Sequence, residues 1–158
     1  MNRFRTSKYS NVPHMKKFHD LGSVLLRVVI AATFLSPVAD RFGWWGQPGQ
    51  SGVAWGNWDN FVTYTMQVNS FAPSAGSVLA IAATALEIIF ALMLLIGYKT
   101  RLAATGSAAL LFLFCAAMAY SFGIKSPLDY SVWIDFGAAF LLATLPRYKW
   151  SLDDLGVR

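Results

Sequence analysis

Four apolar runs constrain this chain more than anything else in it. Leu21 to Ala39, Ala75 to Gly97 and Leu102 to Phe122 are nearly continuous, and Leu128 to Leu145 is broken only by Asp129, Ser131, Asp135 and Thr144. Each run is about 18 to 23 residues, the length a helix rising 1.5 Å per residue needs to cross a hydrocarbon core of about 30 Å. Over the 158 residues, 56% are hydrophobic and 13% charged. A soluble domain carries about 25% charged residues, so this chain has too little polar material to cover a water-facing surface. The reading is an all-α membrane protein: a bundle of four transmembrane helices over about 21–39, 75–97, 102–122 and 128–145.

The charges orient the bundle. Arg3, Arg5, Lys8, Lys16 and Lys17 precede the first run, Lys99 and Arg101 separate the second and third, and Arg147, Lys149 and Arg158 follow the fourth. The two remaining loops hold only Arg41 and Lys125. The positive-inside rule puts both termini in the cytoplasm, and all four spans agree with that orientation. Residues 1–20 form a basic cytoplasmic segment that is mobile or lies along the anionic membrane surface. Residues 21–146 form the membrane domain, 40–74 its long outer loop and 147–158 a cytoplasmic tail. The net charge of +5 is accounted for by this placement, and with no accompanying fold motif it does not indicate a nucleic-acid partner. Val38-Ala39 is a tolerable cleavage sequence, but the first run is read as a retained helix.

Ser36-Pro37 is expected to end or kink the first helix, because proline removes a backbone donor. The outer loop opens on the turn-rich Gly43-Trp44-Trp45-Gly46-Gln47-Pro48-Gly49. Its glycines at 46, 49, 52 and 56 lack a following Lys-Ser/Thr and read as turns, not as a phosphate cradle. Trp44, Trp45, Trp55 and Trp58 are expected to form an outer interface belt, since indole prefers the headgroup level. Phe61, Tyr64, Val68 and Phe71 recur at spacings of three and four opposite Asn60, Thr63, Gln67 and Ser70. With Asn57 as N-cap and Pro73 beyond its end, this segment is predicted to be a short amphipathic helix on the outer membrane surface or capping the bundle. The third span is rich in Ala, Gly and Ser, which lets backbones approach closely in lipid.

Redox and metal chemistry find few ligands. The single cysteine, Cys115, has no Cys-x-x-Cys partner and reads as a small buried hydrophobe. His14 and His19 lie before the first run, so a haem held by two intramembrane histidines is excluded, and no metal site is expected.

Three ionisable residues remain inside the runs: Arg27, Glu87 and Asp135. A charge in hydrocarbon costs at least about 2.5 kcal/mol on the mildest scale, so each needs a reason. Counting at 1.5 Å per residue puts Glu87 and Asp135 about 15 and 16 Å from the cytoplasmic edge and Arg27 about 9 Å. Each lies on the smallest and most polar stripe of its helix. We therefore expect the three to converge in one buried site, with Arg101 or Arg41 as a further cation, or with one carboxylate protonated. The alternatives are an ion pair that only fixes helix register, and an Arg27 that snorkels to the headgroups.

The runs Leu25-Leu26-Arg27-Val28-Val29-Ile30-Ala31-Ala32-Thr33-Phe34-Leu35 and Ala85-Leu86-Glu87-Ile88-Ile89-Phe90, continuing through Gly97-Tyr98-Lys99-Thr100-Arg101, resemble the DoxX-like family of small membrane proteins. The likeness covers roughly Leu21 to Leu145, with the Trp-rich loop and the basic N-terminal arm as departures. It implies a four-helix bundle in a bacterial or archaeal plasma membrane, with Arg27, Glu87 and Arg101 as family site residues. It also implies an accessory or quinone-interacting subunit of a membrane redox assembly, with partner redox proteins, no covalently bound cofactor and quinone as the candidate ligand. No autonomous catalytic motif is present. A small-solute or proton transporter and a purely structural anchor subunit are the alternatives.

Overall fold

The computed structural model describes residues 13–155. The expected basic arm at Arg3, Arg5 and Lys8 lies outside them. Among the described residues the elements are all helical: α1 (Pro13–Arg41), α2 (Trp58–Val68), α3 (Gly76–Ile96), α4 (Thr100–Phe122), α5 (Lys125–Asp129), α6 (Val132–Thr144) and α7 (Leu152–Leu155). Three are long and apolar enough to cross a membrane, over Phe18–Arg41, Pro73–Ile96 and Thr100–Phe122. They turn residues such as Leu25, Ile81, Ile89, Leu92 and Leu113 outward, an apolar surface matched to lipid tails.

The fourth run departs from expectation. It is not one helix: α5 and the 13-residue α6 are separated at Ser131, whose φ of 58° is left-handed. A helix of that length rises only about 20 Å. The polar Asp129 and Ser131, treated in the sequence as tolerated interruptions, mark the break. Pro37 does not end the first helix, since α1 runs through it to Arg41. The first helix also starts earlier than the apolar run, at Pro13.

The packing forms a square. Helix α1 packs on α3 and α6, and α4 packs on the same two, so α3 and α6 occupy opposite corners. Its core is built from Ile30, Ala31 and Phe34, Ala91 and Leu94, Ala103, Ala104, Ala108 and Leu111, and Ala139 and Leu142. The alanines of α4 bring it close to both neighbours. Gly106 lets the Phe90 ring of α3 lie against the α4 backbone, where an added Cβ would stand 2.8 Å from Phe90 Cε1.

The chain after α6 folds back onto the α3–α4 turn. Gly97 ends α3 with a φ of 69°, and an added Cβ there would lie 2.6 Å from Arg27 Nη2 and collide with Ser151. Gly97→Ala should therefore lower stability by about 1–3 kcal/mol, the range for a non-glycine residue held left-handed. Gly137→Ala should be neutral or stabilising, because that site is helical with open space around it. Thermal unfolding of the two variants in detergent checks the contrast.

Candidate functional site

The three intramembrane charges do not converge. They occupy three separate places, and the arginine expected to join Glu87 points the other way.

Arg27 serves the end of the bundle where the tail docks. Its Nε donates to Leu94 O at 2.8 Å and Nη2 to Leu95 O at 3.1 Å, while Nη1 donates to Lys149 O and Trp150 O, each at 3.2 Å. The C-terminal carbonyls of a helix lack intrahelical donors and carry partial negative charge, so a guanidinium there satisfies both needs. Glu87 lies two turns further along α3, about 10 Å away. Arg27 does not reach Glu87 as expected, because the four carbonyls it meets lie nearer than the carboxylate.

Asp153 completes this junction from the tail. Its oxygens accept from the Lys99 N–H at 2.8 Å and the Thr100 N–H at 2.7 Å, and its own N–H donates to Gly97 O at 3.0 Å. It thus caps the N-terminus of α4 from a distant part of the chain. Burial pushes its carboxyl up, but the bonds from Thr100 and Lys99 and the Arg27 charge outweigh burial and hold it below the usual carboxylate range. Arg101 is not in a buried site. It is exposed and its Nη2 donates to Leu145 O at 3.0 Å, tying α4 to the end of α6.

Glu87 pairs with Arg41. Both Glu87 oxygens are engaged: Oε2 by Arg41 Nη1, and Oε1 by Nη2 at 3.1 Å. Arg41 Nη1 also donates to Thr84 Oγ1 at 2.7 Å, one turn before Glu87. The pair is a bidentate fork joining the last residue of α1 to the middle of α3, with Arg41 3% and Glu87 2% exposed. The Phe61 ring of α2 lies 3.7 Å from the guanidinium carbon and the Trp55 ring 5.4 Å, adding cation–π attraction while excluding water. Helix α2 is where the amphipathic pattern put it, with Asn57 Oδ1 accepting from the Asn60 N–H at 2.8 Å, and it caps the bundle with Phe61, Thr65 and Val68 turned inward. Beside them Tyr64 packs on Trp55, and burial, with the Tyr130 phenol nearby, pushes its hydroxyl up. A quinone headgroup does not fit between Arg41 and Glu87 as they stand, because the fork is closed and roofed.

The expected tryptophan belt is split. Trp44 and Trp45 are 81% and 60% exposed. Trp55 belongs to the roof, packed edge-on against Phe61 at 5.0 Å, and Trp58 stacks on Phe42 at 6.2 Å. The Asp135 side chain on α6 is half-buried, with no hydrogen bond or ion pair among the described residues and with Cys115 of α4 within electrostatic range. Its corner of the square is the one diagonal to Glu87, which is why the two carboxylates do not meet. No His, Cys, Asp or Glu cluster suited to a metal occurs among the described residues.

Sequence reasoning missed Asp153, Thr84 and Phe61 as partners, whereas Arg41 was expected as a possible further cation. No periodicity could have shown that Asp153 reaches back to Thr100.

Glu87→Ala should lower stability by about 3–5 kcal/mol, since it strands a buried guanidinium. Arg101→Ala should stay within about 0.5 kcal/mol, as for an ordinary surface change. Unfolding in mixed micelles with increasing denaturing detergent measures both. For Asp153 the lowered carboxyl gives stability that is complete above the ordinary carboxylate value of about 3.9 and lost as pH falls through its lower folded value. The wild-type thermal midpoint should therefore drop more steeply than that of Asp153→Asn on acidification below that value.

Compared with known proteins, the chain matches the model of one family, DoxX, over residues 22–122. No curated protein and no solved structure matches it. The matched segment runs from the start of the apolar stretch of α1 to the end of α4 and so includes both arginine anchors and Glu87. This chain is a multi-pass membrane protein belonging to the DoxX family.

Proposed function

We propose that this protein is an accessory subunit of a membrane assembly, of the redox type that the DoxX resemblance implies, and that it holds a partner rather than performing chemistry itself. In this reading α5 and α6 together supply a fourth crossing. Both termini are cytoplasmic, following the Lys and Arg distribution, and the membrane is a bacterial or archaeal plasma membrane.

One observation carries the reading. Arg27 is engaged by four carbonyls and the terminal nitrogens of Arg41 by Glu87 and Thr84, whereas the Asp135 side chain has no partner among the described residues, on a helix with one side against the core and the other exposed. A lone carboxylate at that depth is unfavourable in hydrocarbon and favours a neighbour able to supply a cation or a donor. Exposed Ile134, Phe140 and Leu141 lie elsewhere on the same helix and offer an apolar surface to a neighbour. A basic or hydrogen-bonding residue on a partner's transmembrane helix would satisfy Asp135, much as Arg41 satisfies Glu87.

Extraction in a mild detergent, with identification of co-purifying proteins, tests this. The wild type should carry a membrane redox protein in stable stoichiometry. Asp135→Asn should lose at least about tenfold of it, equivalent to roughly 1.4 kcal/mol, while its thermal midpoint stays that of the wild type. A wild type that purifies alone, or an Asp135→Asn variant that keeps its partner, contradicts the proposal. Substrate-dependent flux in proteoliposomes would support the transporter alternative instead.

A further inference from the structure

The segment after α1 encloses a second polar feature, separate from both arginine sites. The chain from Asp40 to Trp55 folds over the end of α1 and leaves an open pocket of about 370 Å³ walled by Asp40, Trp45, Trp55, Pro37 and Ala54. This lies at the lower end of the roughly 300–1,000 Å³ typical of small-molecule sites.

The charge in its wall is uncompensated. Asp40 is only 4% exposed. Its Oδ2 accepts from the backbone N–H of Ala54 at 3.2 Å and of Trp55 at 2.7 Å, but Oδ1 is buried with no hydrogen-bond partner among the described residues. The neighbouring Arg41 is committed to Glu87 and Thr84. Asp40, Arg41 and Glu87 together thus leave one excess negative charge in a region where an unpaired anion is costly. Trp45 is held at the mouth by donation from Nε1 to Ser36 O at 2.9 Å, which fixes its ring while leaving it largely exposed.

We propose that this cavity binds an organic ammonium group, with the Asp40 carboxylate behind it and the Trp45 and Trp55 rings beside it. The largely exposed Trp45 indole and a desolvated carboxylate form the combination that recognises a weakly hydrated cation, while Trp55, whose ring already meets the Arg41 guanidinium, closes the wall. A bare metal ion is a poor fit, because hard cations take six or more oxygen ligands and this wall offers few. An anionic ligand would be repelled by Asp40. Since Oδ1 is enclosed, the carboxylate acts through its charge across the wall, which suits a methylated ammonium with no hydrogen to donate. The ammonium could come from a lipid headgroup or from a free amine.

The test uses the full chain in a non-ionic detergent free of amines. Choline is titrated against tryptophan fluorescence, with 3,3-dimethylbutanol as the uncharged analogue of the same shape. Saturable quenching by choline alone is expected. Asp40→Asn, which keeps an acceptor for the Ala54 and Trp55 N–H groups, and Trp45→Leu, on an exposed ring, should each weaken it at least tenfold with circular dichroism unchanged. In phosphatidylglycerol nanodiscs carrying equal fractions of either phosphatidylcholine or uncharged diacylglycerol, so that the surface charge is the same, choline binding that is weaker with phosphatidylcholine identifies a lipid headgroup as the source, and equal binding in both identifies a free amine. No saturable response from the wild type, an equal response to the uncharged analogue, or undiminished binding by Asp40→Asn would overturn the proposal.

Discussion

An ionised side chain inside hydrocarbon must find its counterpart within the protein, and the Arg41–Glu87 fork is where this chain meets that requirement most completely. The pair adds a polar tie between two helices that also pack through Ile30, Ala31, Phe34, Ala91 and Leu94. Because α1 ends at Arg41, the guanidinium can reach back into the bundle only if α2 closes over it. The position of α2, the inward turn of Phe61 and the location of Trp55 follow from that one contact. At the opposite end Arg27 does comparable work with backbone carbonyls, and Asp153 adds the cap that binds the tail to the α3–α4 turn.

Both ends are thus locked by side chains that reach across elements distant in sequence, while the middle of the bundle is small residues in close contact. This division places the chain's remaining chemical potential at its periphery. Asp135 on α6 and Asp40 beneath the loop are two carboxylates that, among the described residues, no cation pairs with. Both proposed binding activities rest on that imbalance, and they are independent of each other, since the two residues belong to different faces and invite different occupants.

The sequence made the three long spans legible because an uninterrupted apolar run of that length has few other physical outcomes. The amphipathic helix with its Asn57 cap was legible for the same reason, since local periodicity and a capping residue agree. The fourth span was not, because hydropathy averages over Asp129 and Ser131 whereas a backbone turning left-handed at Ser131 does not. The pairing of charges was only half legible. Depth along a helix can be counted, but the direction of a long side chain depends on which unsatisfied group lies nearer. Arg27 found the carbonyls of Leu94 and Leu95, and Glu87 was left to the cation at the far end of the same helix. Trp55 shows the same limit: composition marked it as a belt residue, and a guanidinium drew it inward.

The central claim is that Arg41 and Glu87 interact directly and hold α1 to α3. A double-mutant cycle with Arg41→Met and Glu87→Met, read by equilibrium unfolding in micelles, measures that interaction most directly. Each single variant should be strongly destabilised, the double variant should recover much of the loss, and the coupling should exceed about 2 kcal/mol. Two losses that simply add, with coupling below about 0.5 kcal/mol, would mean that the two side chains do not meet in the membrane-embedded protein.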